Sequence, residues 1–114
     1  MKIDIHTHGD YQVLKIEEEI SVISDLSELM FIIQGYLQQG KRYIAIGFTS
    51  ASYIYSGAVG VLINCLNKVK AEGGDLCIIE PSGDIAGILK MVNVNKILNI
   101  YPSEDDLPVV IQEL

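Results

Sequence analysis

Two histidines near the start of the chain have the clearest capacity for chemistry. His6 and His8 stand two positions apart in the run Ile3-Asp4-Ile5-His6-Thr7-His8, and in a strand such residues project from one face. Two imidazoles on one face could share a metal ion. A catalytic metal site needs a third ligand, and only acidic residues remain to supply it, because the chain has no other histidine. We therefore predict two exposed histidines on an edge strand, with no metal and no cofactor.

Ser56 is the second candidate, because it stands where a buried strand gives way to an amphipathic helix. Tyr43–Phe48 is a short apolar run typical of a strand covered on both faces. From Ser56 onward, apolar residues recur at helical spacing. A serine there can cap orphan backbone N–H groups, and the positive end of the helix dipole would favour an anion. A purely structural role also fits: Ser56 as the N-cap, with Gly57 and Gly60 allowing close helix–sheet packing.

No catalytic constellation accompanies Ser56. The segment Ser56-Gly57-Ala58-Val59-Gly60 has neither the dinucleotide-binding fingerprint nor the Gly-Lys-Ser/Thr of a P-loop. Ile54 stands where a serine-nucleophile elbow would have glycine. Glu17-Glu18-Glu19 is a charge run without a facing carboxylate, and Cys65 and Cys77 fall inside apolar runs typical of small core residues. The sequence thus predicts a protein that is not an enzyme.

Composition predicts one domain, residues 1–114, in the cytoplasm. A hydrophobic content of 49% argues against disorder. No apolar run approaches the ~20 residues of a membrane span, and the first residues lack the layout of a signal peptide. A net charge of −7 disfavours nucleic acid and anionic membranes as partners, because both require a concentrated basic surface. Of these classes of partner, the net charge leaves a protein open.

Hydrophobic periodicity and turn signals predict the order β-β-α-β-α-β-α-β-α. The predicted strands are Lys2–His8, Tyr11–Ile16, Tyr43–Phe48, Asp75–Ile79 and Lys96–Tyr101. After an opening antiparallel hairpin, strands alternate with helices, which favours parallel pairing. We therefore predict an α/β fold with one mixed, mainly parallel sheet of about four to five strands and about four helices.

Capping and stop signals predict where the helices begin and end. Asp25 and Glu28 approximate a capping box for the first helix, with Ser24 as an alternative cap, and Gly40 ends it. The second helix runs from about Ser56 to the glycines after Glu72. A short third helix carries Ile85, Ile88, Leu89 and Val92. A terminal helix follows the acidic lead-in Pro102–Asp106 and carries Leu107, Val110, Ile111 and Leu114.

The element order and the junction at Ser56 resemble the STAS domain of bacterial anti-sigma factor antagonists. The most specific part is Ser56-Gly57-Ala58-Val59-Gly60-Val61, placed after an apolar strand and before an amphipathic helix. Ala71–Leu76, Ile88–Leu98 and Pro102–Asp106 also look like the family. The resemblance covers nearly the whole chain.

This resemblance implies a regulatory protein-binding module. In that family, an anti-sigma factor that is also a serine kinase phosphorylates the Ser or Thr before the glycine. The unphosphorylated domain binds the kinase and frees the sigma factor, and phosphorylation breaks the complex. On this implication Ser56 is the phosphoacceptor. The residues implied to line the partner-binding surface are Ser52, Tyr53, Ile54, Tyr55, Gly57 and Ala58.

Differences from the family pattern keep a second hypothesis open. The family usually carries Asp at the position of Ile54, where it could orient the hydroxyl or assist the kinase, and Tyr55 replaces a small residue. The alternative is a STAS-like scaffold or oligomerisation module that is not phosphorylated and binds constitutively or pairs with itself as a homodimer. The other candidate acceptors are Ser50, Ser52, Ser82 and a nearby tyrosine.

Overall fold

A computed structural model describes residues 3–16, 23–48, 56–79 and 98–108. The described elements, in chain order, are β1 (Ile3–His8), β2 (Tyr11–Ile16), α1 (Ile23–Gln38), β3 (Tyr43–Phe48), α2 (Ser56–Ala71), β4 (Asp75–Ile79), β5 (Asn99–Tyr101) and a 3₁₀ turn (Glu104–Asp106). The predicted third helix and the part of the predicted terminal helix beyond Pro108 lie outside the described residues. None of the described helices is long and apolar enough to cross a membrane.

The five strands form one mixed sheet in the order β1-β2-β3-β4-β5. β1 is antiparallel to β2, and the other three pairings are parallel. A two-residue turn closes the β1–β2 hairpin, with Gly9 at φ 61° and His8 paired with Tyr11. The α/β class, the mainly parallel sheet and the opening hairpin are thus confirmed, and two α-helices are described rather than four.

Both α-helices lie on the same face of this sheet. Successive parallel strands are neighbours in sequence order, so right-handed crossovers carry α1 and α2 to one side. The main core fills that side and comprises Leu14, Ile16, Leu29, Ile33, Ile44, Ile46, Leu62, Cys65, Leu66, Val69, Leu76, Ile78 and Leu98. A smaller cluster covers the second face and comprises Tyr11, Val13, Ala45, Cys77, Ile79 and Leu107. The central strands are therefore buried on both faces, as predicted.

Glycine ends both helices through the same pair of hydrogen bonds. In α1, Gly40 N donates to the Leu37 carbonyl at 3.1 Å and Lys41 N donates to the Tyr36 carbonyl at 2.9 Å. This is a Schellman cap, which needs a left-handed residue, and Gly40 has φ 78°. α2 repeats the pattern with Gly73 at φ 80°. The predicted stop signals are confirmed.

The predicted start of the first helix is two to three residues too late, depending on whether Ser24 or Asp25 is taken as the cap. α1 begins at Ile23, so Ser24 and Asp25 lie inside the helix and do not cap it. The apolar helical spacing extends back through Leu26 to Ile23, which favours the earlier start. The predicted close-packing role of Gly60 is also wrong. Gly60 is exposed, and within the described residues no heavy atom outside its own stretch of helix backbone lies within 4 Å of the position a Cβ would occupy.

The acidic segment before the predicted terminal helix forms a 3₁₀ turn instead of the first turn of an α-helix. Asp106 N donates to the Ser103 carbonyl and Leu107 N to the Glu104 carbonyl, both at 3.1 Å. Leu107 then adopts an extended backbone, with φ −61° and ψ 134°. Its side chain packs in the second-face cluster with 8% of its surface exposed. The chain therefore leaves the helical backbone conformation at Leu107, the residue whose side chain is buried.

Candidate partner-binding site

Ser56 is the first residue of α2, as the sequence predicted. The preceding strand, β3, is hydrogen-bonded between β2 and β4, with Ile16 paired to Phe48 and Gly47 to Ile79. The carboxyl ends of these three parallel strands therefore share one edge of the sheet. Residues 49–55 join that edge to Ser56 and lie outside the described residues.

The implied binding surface is thus described only in part. Gly57 and Ala58 follow Ser56 in the first turn of α2. Ser52, Tyr53, Ile54 and Tyr55 lie outside the described residues, as do the alternative acceptors Ser50 and Ser82. One continuous stretch of sequence, residues 52–58, contains every residue of the implied surface.

The remainder of α2 anchors this helix start to the protein. Leu62, Cys65, Leu66 and Val69 are at most 4% exposed and pack in the main core. Opposite them, Asn64 and Asn67 are exposed. An amphipathic helix fixed in this way holds its N-terminal residues in a constant position relative to the sheet.

The helix start is electrostatically suited to a negative group. The first turn of α2 contains no acidic residue, and Lys68 and Lys70 lie in the last turn. At about 1.5 Å rise per residue, those lysines are about 18 Å or more from Ser56 along the helix. The positive end of the helix dipole would therefore favour a new anion at this position, and the first turn contains no carboxylate that would repel it.

The structure gives His6 and His8 a partner that local sequence reasoning missed. His6 Nε2 donates to Glu104 Oε1 at 2.7 Å, and His8 Nδ1 lies 3.1 Å from the same oxygen. Asp4 Oδ2 lies 3.4 Å from His6 Nδ1. β1 is an edge strand, as predicted, but its histidines are half-buried whereas Ile5 is 47% exposed. No local sequence signal pairs Glu104 with the two histidines, of which His6 stands 98 positions earlier.

The two cysteines are buried and free, which confirms the prediction that they are core residues. They belong to clusters on opposite faces of the sheet. Burial raises the pKa of the Cys65 thiol to about 11, although nearby Lys68 acts against the shift. Burial, with a contribution from Asp75, raises the pKa of the Cys77 thiol to about 12. Both groups are therefore protonated and weakly nucleophilic near neutral pH.

We expect both thiols to resist Ellman's reagent at pH 8 in the native protein and to react after unfolding in denaturant. Because folding raises both pKa values from 9.0, their contribution to the free energy of unfolding is complete below about pH 9 and declines as pH rises towards about 11 and 12. Urea unfolding at a series of alkaline pH values tests the direction. Rapid labelling of either native thiol at pH 8 would contradict the prediction.

The fold and this junction define a class of regulatory domain. The family model of the STAS domain matches residues 2–107, so the chain belongs to the STAS domain family. A Thermotoga maritima protein whose assigned role is anti-sigma factor antagonist is 22% identical over 92 residues, covering 81% of each chain. The chain is therefore a STAS domain of the anti-sigma factor antagonist-like kind.

Solved structures show the same fold. The protein TM1081 superposes with a TM-score of 0.79 at 20% identity, covering 93% of this chain and 85% of that one. The Bacillus anti-sigma factor antagonist SpoIIAA in its unphosphorylated form gives a TM-score of 0.72 at 14% identity, with 92% and 91% coverage. Its phosphorylated form gives 0.63 at 13% identity, with 92% and 95% coverage.

Proposed function

We propose that this STAS domain docks an anti-sigma factor that is also a serine kinase, and that phosphorylation of Ser56 releases the partner. The observation that carries the proposal is the position of Ser56 as the first residue of α2, the helix that follows β3 in the chain. The family resemblance implies an acceptor at this junction. SpoIIAA, which shares the fold, is known in unphosphorylated and phosphorylated forms.

The surface proposed to contact the partner surrounds this serine. Gly57 and Ala58 share its helical turn. Ser52, Tyr53, Ile54 and Tyr55 complete the surface in this proposal, because they immediately precede Ser56 in the chain. The proposed role is regulatory, in the cytoplasm, with no enzymatic activity.

Charge explains how the switch would work. A phosphate adds about −1.5 to −2 charge and three strong acceptor oxygens. The α2 N-terminus stabilises that charge, so the domain itself tolerates phosphorylation. A partner surface fitted to a neutral hydroxyl gains an uncompensated charge at the centre of the interface, which costs binding energy. Phosphorylation would thus break the complex without unfolding the domain.

The binding prediction compares two added charges on the same helix. We expect Ser56→Asp to weaken binding to the host's purified anti-sigma serine kinase at least about tenfold, because it places a carboxylate in the interface. Asn64→Asp adds the same charge on the exposed face of α2, away from the helix start, and should bind like wild type. Titration calorimetry with each variant measures the difference. Equal affinities of Ser56→Asp and Asn64→Asp would exclude the proposed role of Ser56.

Phosphorylation is tested separately on the protein isolated from its own host. Peptide mass spectrometry should locate phosphate on Ser56, and the Ser56→Ala protein should lack it. Phosphate on Ser50, Ser52 or Ser82 instead would move the switch to another residue. Incubation of the purified domain with the kinase and Mg-ATP gives the same readout with defined components.

The alternative function rests on Ile54, which stands where the family usually has Asp, and on the bulky Tyr55 beside the acceptor. In this version the domain is a constitutive scaffold or an oligomerisation module, including a homodimer. It predicts no phosphate on Ser56 under any growth condition. Sedimentation analysis then separates self-association from binding to other proteins. Phosphate on Ser56 in the host would rule it out.

A further inference from the structure

The second face of the sheet brings together four side chains with metal-ligand chemistry. Asp4, His6 and His8 alternate along β1 and share one face, with His6 paired to Val13 and His8 to Tyr11. Val13 and Tyr11 belong to the second-face cluster that also contains Leu107. Packing of Leu107 thus carries the preceding 3₁₀ turn across this face, and Glu104 in that turn reaches both histidines.

The two imidazoles converge on one carboxylate oxygen. Glu104 Oε1 lies 2.7 Å from His6 Nε2 and 3.1 Å from His8 Nδ1. The exposed fractions of the three side chains are 37% for His6, 38% for His8 and 21% for Glu104. The cluster is therefore held together and also open to solvent on one side. Glu104 supplies the third ligand that the local sequence pattern around the histidines lacked.

We propose that His6, His8 and Glu104 bind a divalent transition-metal ion of the zinc class, through His6 Nε2, His8 Nδ1 and a Glu104 oxygen. Histidine nitrogens and a carboxylate are ligands that zinc takes at about 2.0–2.2 Å, and three protein ligands leave a fourth position for water or an outside group. The ion belongs to the class selected by imidazole ligands. This proposal is independent of the role proposed for Ser56.

Binding requires a small rearrangement of the cluster. As they stand in the structure, no three His, Cys, Asp or Glu side chains of the described residues are arranged so that they could hold a metal ion, and this includes His6, His8 and Glu104. In a tetrahedral site with bonds of about 2.0 Å, ligand atoms lie about 3.3 Å apart. The two contacts of Glu104 Oε1, at 2.7 and 3.1 Å, therefore have to lengthen by a few tenths of an ångström. Withdrawal of the flexible Glu104 side chain from the imidazoles accomplishes this.

Asp4 acts as a positioning residue in this proposal. Its carboxylate lies 3.4 Å from His6 Nδ1, the nitrogen that would not bind the metal. When Nε2 coordinates an ion, it gives up the proton that it donates to Glu104, and the ring proton is then carried by Nδ1, the nitrogen beside Asp4. Such carboxylate–histidine–metal arrangements orient the ring and increase the basicity of the ligating nitrogen. Asp4→Asn should therefore lower metal affinity by about tenfold while leaving the three ligands in place.

The test uses the full chain without an added histidine tag, freed of metal with a chelator and then dialysed. Titration calorimetry with zinc chloride should show one ion per chain. His6→Ala, His8→Ala and Glu104→Gln should each weaken binding at least about tenfold. Asp105→Asn is the matched control for Glu104→Gln, because Asp105 is an exposed carboxylate in the same 3₁₀ turn. It should bind zinc like wild type.

Cobalt(II) provides a second readout of the ligands. Addition of cobalt chloride should produce the visible absorption of a low-coordinate site without a thiolate charge-transfer band, since Cys65 and Cys77 are buried elsewhere. Circular dichroism checks that each variant is folded. If the histidine variants unfold, Glu104→Gln and the cobalt spectrum still decide the outcome. Absence of one-to-one zinc binding, equal affinity of Glu104→Gln and Asp105→Asn, or a thiolate band would each overturn the proposal.

Discussion

Gly74→Ala should destabilise the fold by about 2–3 kcal/mol, because a side chain at this position has no room. A Cβ on Gly74 would overlap the Arg42 carbonyl oxygen and lie 2.6 Å from the carbonyl carbon and 2.7 Å from the Arg42 Cβ. Asp75 N donates to that same Arg42 oxygen at 3.0 Å, so the backbone approach joins the starts of β3 and β4. Any side chain at position 74 has to push these two segments apart.

Gly60→Ala is the matched control, because the same chemical change occurs where there is space. Gly60 lies in α2, is exposed, and within the described residues has no heavy atom outside its own stretch of helix backbone within 4 Å of the would-be Cβ. Alanine there should stabilise the protein by about 0.5–1 kcal/mol through higher helix propensity and a less flexible unfolded chain. Urea unfolding followed by circular dichroism measures both variants. The prediction fails if the two substitutions change the free energy of unfolding with the same sign.

Leu14→Ala should cost about 2–5 kcal/mol, which is a large part of the ~5–15 kcal/mol that stabilises a typical domain. Leu14 is fully buried in β2, pairs with Ile5 on one side and Ile46 on the other, and belongs to the main core beneath the helices. Truncation to alanine removes buried apolar surface and leaves a cavity. Because β2 is hydrogen-bonded to a strand on each side, it cannot move to close that cavity. The midpoint of urea unfolding should therefore fall sharply.

Phe31→Ala provides the comparison for a large apolar residue on the surface. Phe31 lies in α1 with 78% of its area exposed, so its removal leaves no cavity. We expect a change within about 0.5 kcal/mol. Equal losses for Leu14→Ala and Phe31→Ala would show that the main core does not lie where the structure places it.

Most of the sheet could be predicted from the sequence because its signals are local. Tyr11–Ile16, Tyr43–Phe48 and Asp75–Ile79 are short apolar runs bounded by turn residues, and all three strands have the predicted limits. Gly40 and Gly73 mark helix ends because the left-handed backbone at each cap disfavours other residues. The start of α2 at Ser56 followed from the change in hydrophobic period.

Other features depended on atoms that are distant in the chain. The sequence does not show how much space surrounds Gly60 or Gly74. In the structure, the Arg42 carbonyl crowds Gly74, whereas Gly60 has space for a side chain. The 3₁₀ turn replaced a predicted helical turn while Leu107 packed against the second face. The role of Ser56 remains a proposal, because it is inferred from the family pattern and does not rest on a contact within the fold.

By itself, the sequence determined the order of the described strands and α-helices, the limits of β2, β3 and β4, and the family resemblance, since periodicity, turn residues and motif spacing are local properties of the chain. The last strand is shorter than predicted and spans Asn99–Tyr101. Only the tertiary structure decided that both described helices cover one face, and that Glu104 meets His8 and also His6, which is 98 positions away in the chain. Sheet order and the burial of Leu107 set that meeting. Contacts between side chains that are distant in sequence depend on the path of the whole chain, and local sequence patterns do not specify that path.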